Sequence, residues 1–440
     1  MQPVEILYLS DRMHVSHSDI PAGVTEVLKE HGMVDLESGR IYFCGLLRVG
    51  CRFIVFLPRN HTGSPEPADR SAYYLLRALV KFYRTRESGM RANDYGTMVT
   101  GGESLSLAVA LIEDYLVSGL YVRRARVRTI NNGKTSWPRT IARNTAYPSA
   151  GGQVYLDLAT TRTHYSTDCM TARIHASVMR EVLASYGMLW LGKSSVVDRK
   201  LAAMPAPVGT PDAWIRFLSK ELQLSYSERD IFLIRSLIAY LKKEKGTIQG
   251  PLLVGVKKFH GLWEAMLDEC LVGKLRVNDR LPVPAYLTAD GKIELIAGKG
   301  QRTDTVLQDR GSQHIAVIDA KYYDAHSPRS APGWPDLVKQ FFYQQTIEHL
   351  CPSKHISNHF IFPGNEEKNL KSAFVVERDS KKDCATACLP RYGPIHCHYQ
   401  DPLALLRLYA TGEKLTALTK EIFDTGAVIS SDMSPRVSAV

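Results

Sequence analysis

The sequence has no long apolar run, and this absence excludes a whole class of proteins. None of its windows approaches the ~20 uninterrupted apolar residues that a membrane-spanning helix needs. The first residues, MQPVEILYLSDRMHVSHSD, lack both the basic leader and the apolar core of a signal peptide. From these two absences we expect a cytoplasmic protein without a membrane partner.

Motifs for nucleotide hydrolysis and for serine chemistry are also missing. The sequence contains no G-x-x-x-x-G-K-[ST] phosphate loop and no G-x-S-x-G nucleophile turn. Its double glycines, Gly101-Gly102 and Gly151-Gly152, predict short turns rather than phosphate-binding loops. We therefore expect that this chain does not hydrolyse nucleotides by itself.

Cysteines are few and scattered, which argues against a disulfide framework. In a reducing compartment the eight cysteines are expected to be mostly thiols. One group leaves a zinc site open, because Cys384 and Cys388 precede His396, Cys397 and His398. A strand would send the two histidines to one face and Cys397 to the other, so the five side chains cannot all bind one ion. Free thiols are the favoured interpretation.

The length and composition indicate several globular domains. A chain of 440 residues, 45% hydrophobic and 23% charged, can bury two or three cores. We expect an N-terminal α+β region over residues 1–203 and a linker with a helical connector over 204–250, beginning in the sequence MPAPVGTPD. A C-terminal α/β domain, with a mixed sheet flanked by helices, should occupy 251–426, and 427–440 should form a flexible tail.

The positive charge favours a polyanionic partner. The formal net charge is +10, and clustered Lys and Arg bind phosphates with release of counterions. Residues 121–148 carry Lys and Arg but no acid, and Asn131-Asn132-Gly133 is a turn signal. This segment predicts a basic strand–turn–strand that is either a solvated surface or a DNA contact. We favour DNA, with Lys134 and Arg139 near phosphates and Trp137 packed beneath them.

Three consecutive elements carry the candidate chemistry. Residues 259–271 predict an amphipathic helix with Glu264, and residues 293–297 predict a short strand. A turn-rich link then leads to Asp304, and the apolar strand 314–321 ends in Asp319, Ala320 and Lys321. The motif Asp-x-Lys alone is a weak signal, since it could simply mark the exposed end of a buried strand. The acidic residues that precede this motif along the chain, Glu264 on the helix and then Asp304, favour a catalytic site.

This order of residues suits a metal-dependent phosphodiesterase. Carboxylates from neighbouring strands, here Asp304 and Asp319, can share one or two Mg²⁺ ions. Asp319 and Lys321 are two residues apart in a strand, so both project from the same face. The lysine ammonium would then lie beside the attacking water or the scissile phosphate, where it offsets the charge that develops on phosphorus.

A helix after the Asp-x-Lys strand supplies a further polar stripe. Pro335 and Asp336 mark a helix N-terminus. At helical spacing, Asp336, Lys339, Gln340 and Tyr343 share one face, which we expect to line the site. An ordinary solvated face would explain the Asp and the Lys but explains the Gln and the Tyr less well.

Together these stretches resemble a known family. The segments FHGLWEAMLDECL, TDTVL, IAVIDAKYY and PDLVKQFFYQQ look like the nuclease subunits of LlaJI-type restriction endonucleases, relatives of McrC in McrBC restriction systems. The runs Asp-Ala-Lys-Tyr-Tyr and Asp-Leu-x-Lys-Gln-x-x-Tyr are the most specific parts. The resemblance spans about residues 259–345 and is weaker upstream.

The resemblance implies a PD-(D/E)XK nuclease domain that cuts DNA in an antiviral restriction system. It implies Mg²⁺ as cofactor, with Mn²⁺ as a substitute, and a separate AAA+ GTPase subunit of the McrB type as partner, with a homo-oligomer on DNA as a further possibility. By matching position, the catalytic residues are Asp304, Asp319, Lys321, Glu264 and Gln340, and the metal ligands are Asp304, Asp319 and Glu264. Lys339 and Tyr343 join Lys134 and Arg139 as expected DNA contacts.

Two points stay open at this level. Thr303, rather than Pro, precedes Asp304, which leaves Asp309 as a rival for the first acid. The alternative functions are a non-catalytic DNA-binding adaptor that activates the motor subunit, and a nuclease directed at RNA. An adaptor should tolerate Asp319→Ala, whereas a nuclease should not.

Overall fold

The structure is a computed structural model of the chain, and it describes a defined set of residues. These are residues 6–49, 52–61, 68–87, 98–191, 198–244, 252–309, 311, 313–365, 370–377, 389 and 392–432. The chain forms two compact units: the first unit comprises residues 1–102 and 251–440, and the second unit comprises residues 103–250. None of the helices in the described ranges combines the length and the apolar character that a bilayer crossing requires.

Strands and helices alternate irregularly along the chain. The strands are β1 Ile6–Ser10, β2 Phe43–Val49, β3 Arg52–Leu57, β4 Met98–Thr100, β5 Arg123–Ile130, β6 Lys134–Thr135, β7 Ala146–Ser149, β8 Gly152–Tyr155, β9 Ala159–Ser166, β10 Leu252–Lys257, β11 Ala285–Leu287, β12 Ile293–Leu295, β13 Thr305–Gln308, β14 His314–Ala320, β15 His355–Pro363, β16 Ser372–Ala373 and β17 Ile395–Gln400. The α-helices are α1 Val24–Glu30, α2 Ala68–Glu87, α3 Gly102–Ser118, α4 Trp137–Arg143, α5 Met170–Val182, α6 Met188–Leu191, α7 Arg199–Ala203, α8 Pro211–Gln223, α9 Glu228–Glu244, α10 His260–Cys270, α11 Trp334–Leu350, α12 Pro402–Thr411 and α13 Thr416–Asp432. A π-helix, Leu183–Gly187, joins α5 to α6.

A five-stranded sheet in the order β1-β3-β2-β10-β4 opens the first unit. Strands β2 and β3, both rich in apolar residues, are antiparallel neighbours in this sheet. Strand β10 pairs with β2 and with β4, although it follows the second unit in the chain. The approach of β10 to β2 requires glycine, because a Cβ on Gly255 would lie 2.3 Å from the Cys44 carbonyl oxygen.

The second sheet of the first unit has the order β13-β14-β15-β17-β16. Strands β14, β15 and β17 are parallel, whereas β13 and β16 are antiparallel to their neighbours. The apolar residues of β14 that share a face with Asp319, Ile315 and Val317, pack in a core with Ile347 of α11. The opposite face meets α13, where Phe423 contacts His314. The mixed sheet with flanking helices expected for the C-terminal region is therefore present.

The second unit combines helices with two small sheets, β5-β9-β6 and β7-β8. The basic strand–turn–strand is confirmed, with Asn131 and Gly133 at positive φ in the turn. Both β5 and β6 pair with β9 rather than with each other. The segment QVYLDLA, residues 153–159, is divided between two strands, because β8 ends at Tyr155 and β9 begins at Ala159.

The boundaries of the compact units differ from the division proposed from the sequence. Residue 204 lies inside the second unit, and residues 1–102 belong with the C-terminal part of the chain. The physical reason is the pairing of β10 with β2 and β4, which draws the chain after residue 251 back to the N-terminal sheet. Helix α13 continues through Asp432, so the predicted start of a tail at 427 falls within a helix.

Candidate active site

The candidate site lies where β13 begins and β14 ends. These strands are antiparallel, and the pairing of Thr305 with Ile318 places the preceding Asp304 beside Asp319. The Oδ2 atom of Asp304 accepts a hydrogen bond of 2.9 Å from the Ala320 backbone N–H. The expected meeting of two acids from neighbouring strands therefore occurs. Asp309, the rival first acid, lies at the opposite end of β13, where its backbone N–H donates to the His314 carbonyl oxygen.

The two carboxyl groups lie in opposite electrostatic environments. Burial raises the pKa of Asp304 well above its usual value, and the negative charges of Asp319 and Glu264 raise it further. Burial acts in the same direction on Asp319, but the positive charges of Lys321 and Lys339 outweigh it and hold the pKa of Asp319 below its usual value. Several buried carboxylates close together are unfavourable unless nearby cations compensate their negative charge.

Lys321 is held between two carboxylates. Its Nζ atom lies 2.8 Å from Oδ2 of Asp319 and 2.7 Å from Oδ1 of Asp336. Burial lowers the pKa of Lys321, but Asp319 and Asp336 outweigh burial and raise the pKa above its usual value. The ammonium group is therefore charged at neutral pH. The sequence places Asp336 on the correct helix face but gives no sign that it binds Lys321.

The polar stripe of α11 reaches the site only in part. Lys339 does so, with its Nζ atom 3.4 Å from Oδ1 of Asp319. Gln340 is fully buried and donates to the Val317 carbonyl oxygen at 2.8 Å, so it holds the backbone of β14. Tyr343 is buried and donates to the Arg302 carbonyl oxygen, and its expected contact with DNA stays a prediction. Its ring lies under Lys339, 5.3 Å from Nζ to the ring centroid.

Glu264 belongs to α10, as expected, and is partly exposed. Its charge acts on Asp304, which places it in the same cluster. In the described part of the chain, no three His, Cys, Asp or Glu side chains are already arranged around one point as metal ligands. Mg²⁺ commonly uses only one or two carboxylates and keeps several waters. The adjacent carboxylate oxygens of Asp304 and Asp319 fit that requirement. A divalent cation would offset both the cost of burying the Asp304 charge and its repulsion by Asp319 and Glu264.

A loop that follows β3 holds the residues just after Lys321, and no local sequence pattern predicts this contact. The Arg59 backbone N–H donates to the Tyr322 hydroxyl at 2.9 Å, and Nη2 of Arg59 donates to the Tyr322 carbonyl oxygen at 2.8 Å. Asn60, in the left-handed region with φ 57°, donates from Nδ2 to Oδ1 of Asp324 at 2.7 Å. These partners are more than 260 residues apart. No local pattern links such distant segments.

The zinc alternative is only partly within the described residues, since Cys384 and Cys388 lie outside them. His396 and His398 do share a face of β17, as expected. His398, however, uses both ring nitrogens in hydrogen bonds, to Oε1 of Glu421 at 2.6 Å and to Nδ1 of His359 at 3.0 Å. Hydrogen bonding therefore occupies this imidazole.

The expected DNA contacts of the basic segment lie on the surface of the second unit. Lys134 on β6 and Arg139 on α4 are both exposed. Trp137 is 56% exposed, so it does not pack beneath them as expected. The physical reason is that Trp137 begins a short helix whose buried residue is Thr140.

Comparisons with known proteins agree on a family. Residues 43–379 match the profile of the LlaJI restriction endonuclease family. A curated relative is the Type II restriction enzyme BsuMI component YdjA of Bacillus subtilis (strain 168), which is 23% identical over 374 residues, covering 80% of this chain and 79% of the relative.

Two solved structures are similar to the chain. One is a refined half-complex from a tetradecameric assembly of Thermococcus gammatolerans McrB AAA+ hexamers with bound McrC, with 13% identity, a TM-score of 0.40, and coverage of 92% of this chain and 99% of that chain. The other is the Thermococcus gammatolerans McrBC complex, with 13% identity, a TM-score of 0.27, and coverage of 59% and 84% respectively.

Proposed function

Because the chain belongs to the LlaJI restriction endonuclease family, we propose that it hydrolyses DNA phosphodiester bonds through a PD-(D/E)XK site. The observation that carries this proposal is the grouping of Asp304, Asp319 and Lys321 at the adjoining ends of two paired strands. Two acids and a charged lysine in this arrangement suit attack by water on a phosphate diester.

Each residue of the candidate site would have its own role in the reaction. Asp304 and Asp319 would hold Mg²⁺, with Glu264 acting directly or through water, and the bound ion would supply Lewis-acid stabilisation of charge on the phosphate. Lys321 would place its ammonium group beside the attacking water or the scissile phosphate. Asp336 would orient Lys321 through the contact of its Oδ1 atom with Nζ, at 2.7 Å. Lys339, next to Asp319, adds a second positive charge facing the phosphate.

Other residues of α11 act on position rather than on the reacting atoms. Gln340 fixes β14 through the Val317 carbonyl group, and Tyr343 supports Lys339. Arg59 and Asn60 fix the segment that follows Lys321. Small displacements of a catalytic group cost up to about a hundred-fold in rate, so such contacts matter for activity.

We further propose that the nuclease works with a separate AAA+ GTPase subunit. Two sequence features support this: the motifs resemble those of McrBC-type nuclease subunits, and no G-x-x-x-x-G-K-[ST] loop is present. The motor would recognise and move on DNA, and this chain would cut it.

Plasmid cleavage tests the proposal. The purified chain is incubated with plasmid and Mg²⁺, with and without the AAA+ partner and GTP, beside Asp319→Ala and the exposed-turn control Asp290→Asn. We expect Asp319→Ala to lower cleavage by roughly a hundred- to thousand-fold and Asp290→Asn to leave it unchanged. Calorimetric titration with Mg²⁺ should show weaker binding in Asp304→Asn than in wild type.

Three results would contradict the proposal. Equal cleavage by wild type and Asp319→Ala would place the activity elsewhere. Unchanged Mg²⁺ affinity in Asp304→Asn would remove the metal assignment. The non-catalytic adaptor would be favoured if neither wild type nor Asp319→Ala cut the plasmid while both stimulated the GTPase activity of the AAA+ partner.

A further inference from the structure

One face of the sheet β5-β9-β6 is lined with basic side chains. Residues directly opposite each other in paired strands share a face, and alternate residues of a strand do so too. Arg124 pairs with Tyr165, Arg126 with Thr163, and Arg128 with Thr161. On the other side of β9, Thr161 pairs with Lys134. We call this surface, made of Arg124, Arg126, Arg128, Lys134, Thr161, Thr163 and Tyr165, the arginine face.

The charges of the arginine face are exposed and are not neutralised by acids of the same sheet. Arg124, Arg126, Arg128 and Lys134 are all exposed, and the sequence from 121 to 156 contains no Asp or Glu. Arg124 lies near the Tyr165 ring, 5.9 Å from Cζ to the centroid. On the opposite face, Arg123 is paired with Glu221 at 3.3 Å. Arg124 itself interacts electrostatically with Asp230 of α9, so Arg126, Arg128 and Lys134 contribute most of the available positive charge of the arginine face.

We propose that the arginine face docks the sugar–phosphate backbone of duplex DNA. This inference rests on the proposed function for the choice of nucleic acid, and it adds a binding surface on the second unit. Its three arginines repeat at every second strand position and span roughly 14 Å. That span equals about four phosphate steps of one DNA strand along the helix axis.

The composition of the face favours the backbone of a duplex over other nucleic acid targets. Single strands are commonly bound by several aromatic side chains that stack on bases. On the arginine face the aromatic residue is Tyr165, and its other neutral side chains include the hydroxyls of Thr161 and Thr163, which can donate to phosphate oxygens. Contacts of this kind position DNA without reading its sequence.

The test measures binding of the full chain to a labelled duplex in EDTA, so that cleavage does not interfere. The variant Arg124→Gln/Arg126→Gln/Arg128→Gln is compared with the control Arg199→Gln/Arg216→Gln/Lys220→Gln, which removes three exposed charges from helices of the same unit. We expect the first variant to bind roughly ten- to a hundred-fold more weakly and to lower the salt slope by about 2 to 3. The control should stay within a few-fold of wild type.

A triple Arg→Lys variant separates charge from folding. It keeps the three charges, so we expect it to bind nearly as well as wild type. The proposal is overturned if the Lys variant loses as much affinity as the Gln variant, or if the Gln and control variants bind alike. It is also overturned if the Gln variant loses only its affinity for the AAA+ subunit, which would assign the face to an acidic protein surface.

The outcomes also separate this inference from the proposed function. If wild type binds duplex DNA through the arginine face but never cuts it, the nuclease assignment fails and the docking surface stands. If Asp319-dependent cleavage and DNA affinity are both unchanged in the Gln variant, the docking surface fails and the nuclease assignment stands.

Discussion

At the residue scale, the site is a set of charges that balance one another incompletely. Asp319 faces two ammonium groups, those of Lys321 and Lys339, whereas Asp304 accepts a hydrogen bond from the Ala320 backbone N–H. The opposite pKa shifts of the two acids follow from this asymmetry. Asp304 is therefore the acid whose ionisation depends most on an added cation.

Asp336 gives a prediction about positioning. It is the second carboxylate that holds the Lys321 ammonium group, beside Asp319, so Asp336→Asn should leave Lys321 free to move away from the phosphate. We expect the variant to lower the cleavage rate by roughly ten- to a hundred-fold with little change in DNA affinity. Single-turnover cleavage and duplex binding are the measurements.

The control for this prediction is Glu348→Gln, an exposed carboxylate on the same helix. It changes the charge of α11 equally but is expected to leave the cleavage rate unchanged. If both variants slowed cleavage alike, the loss would reflect the charge of the helix and not the contact with Lys321.

Individual residues were predictable from the sequence where spacing alone decides their position. The strand period places Asp319 and Lys321 on one side, and the 2.8 Å ion pair agrees with it. Spacing could not decide between Asp304 and Asp309, the acids on either side of β13, because only the strand register places Asp304 beside Asp319. It also could not show that Gln340 and Tyr343 are buried, since burial depends on what covers the helix.

At the scale of elements, the most unusual feature is a hydrogen-bonded row of histidines between the second sheet of the first unit and α13. His314 is linked to Ser357, Ser357 to His359, and His359 to His398, which binds Glu421 of α13. Burial, and then the neighbouring His355, lower the pKa of His314 to about 4. Burial and His398 similarly lower the pKa of His396 to about 4.

These histidines predict loss of stability in acid. An unfolded histidine has a pKa near 6.5, so between pH ~6.5 and ~4 the unfolded chain binds protons that the folded chain does not. The free energy of unfolding should therefore fall as the pH falls through this window, by about 1.4 kcal/mol per pH unit for each such proton. Asp11, whose pKa is raised to about 6 by burial, works in the opposite direction.

A double variant isolates the histidines from Asp11. We expect His314→Gln/His396→Gln to show a shallower pH dependence than wild type in urea denaturation between pH 7.5 and 5. The control, His31→Gln/His164→Gln, removes two exposed histidines and should keep the wild-type slope. Equal slopes in wild type and the first variant would show that other groups take up the protons.

Elements with strong local patterns were predictable, and pairings between distant segments were not. Helix α10 follows from its amphipathic pattern, and helix α11 follows from the start signal of Pro335 and Asp336 and from its polar stripe. The addition of β10 to the first sheet does not, because the partners β2 and β4 precede the second unit in the chain. Pairing across such a separation depends on complementary surfaces that a single sequence does not display.

At the scale of the whole molecule, the second unit is an insertion between two neighbouring strands. β4 ends at Thr100, which pairs with Gly255 of β10. The chain therefore leaves and re-enters the first sheet at adjacent points. An insertion at such a point should have little effect on the stability of the first unit, because a short turn could join the same two strands.

The insertion can be tested by excision. Replacing residues 103–250 with a linker of about four Gly and Ser residues should leave β4 and β10 joined as a hairpin. We expect the shortened chain to unfold in one cooperative urea transition, with a smaller m-value than the full chain because less surface becomes exposed. It should also lose duplex affinity as the arginine-face variant does.

Val256→Asp in the shortened chain is the matching control, because Val256 of β10 is fully buried in the first sheet. A buried, unpaired carboxylate there should abolish the cooperative transition, since charge burial costs several kcal/mol. A shortened chain that never folds, even with Val256 intact, would mean that the first unit needs the second to fold. If the Val256→Asp variant folded normally, the first unit would not need β10. The pairing of β10 with the first sheet would then not be the contact that joins residues 1–102 to 251–440.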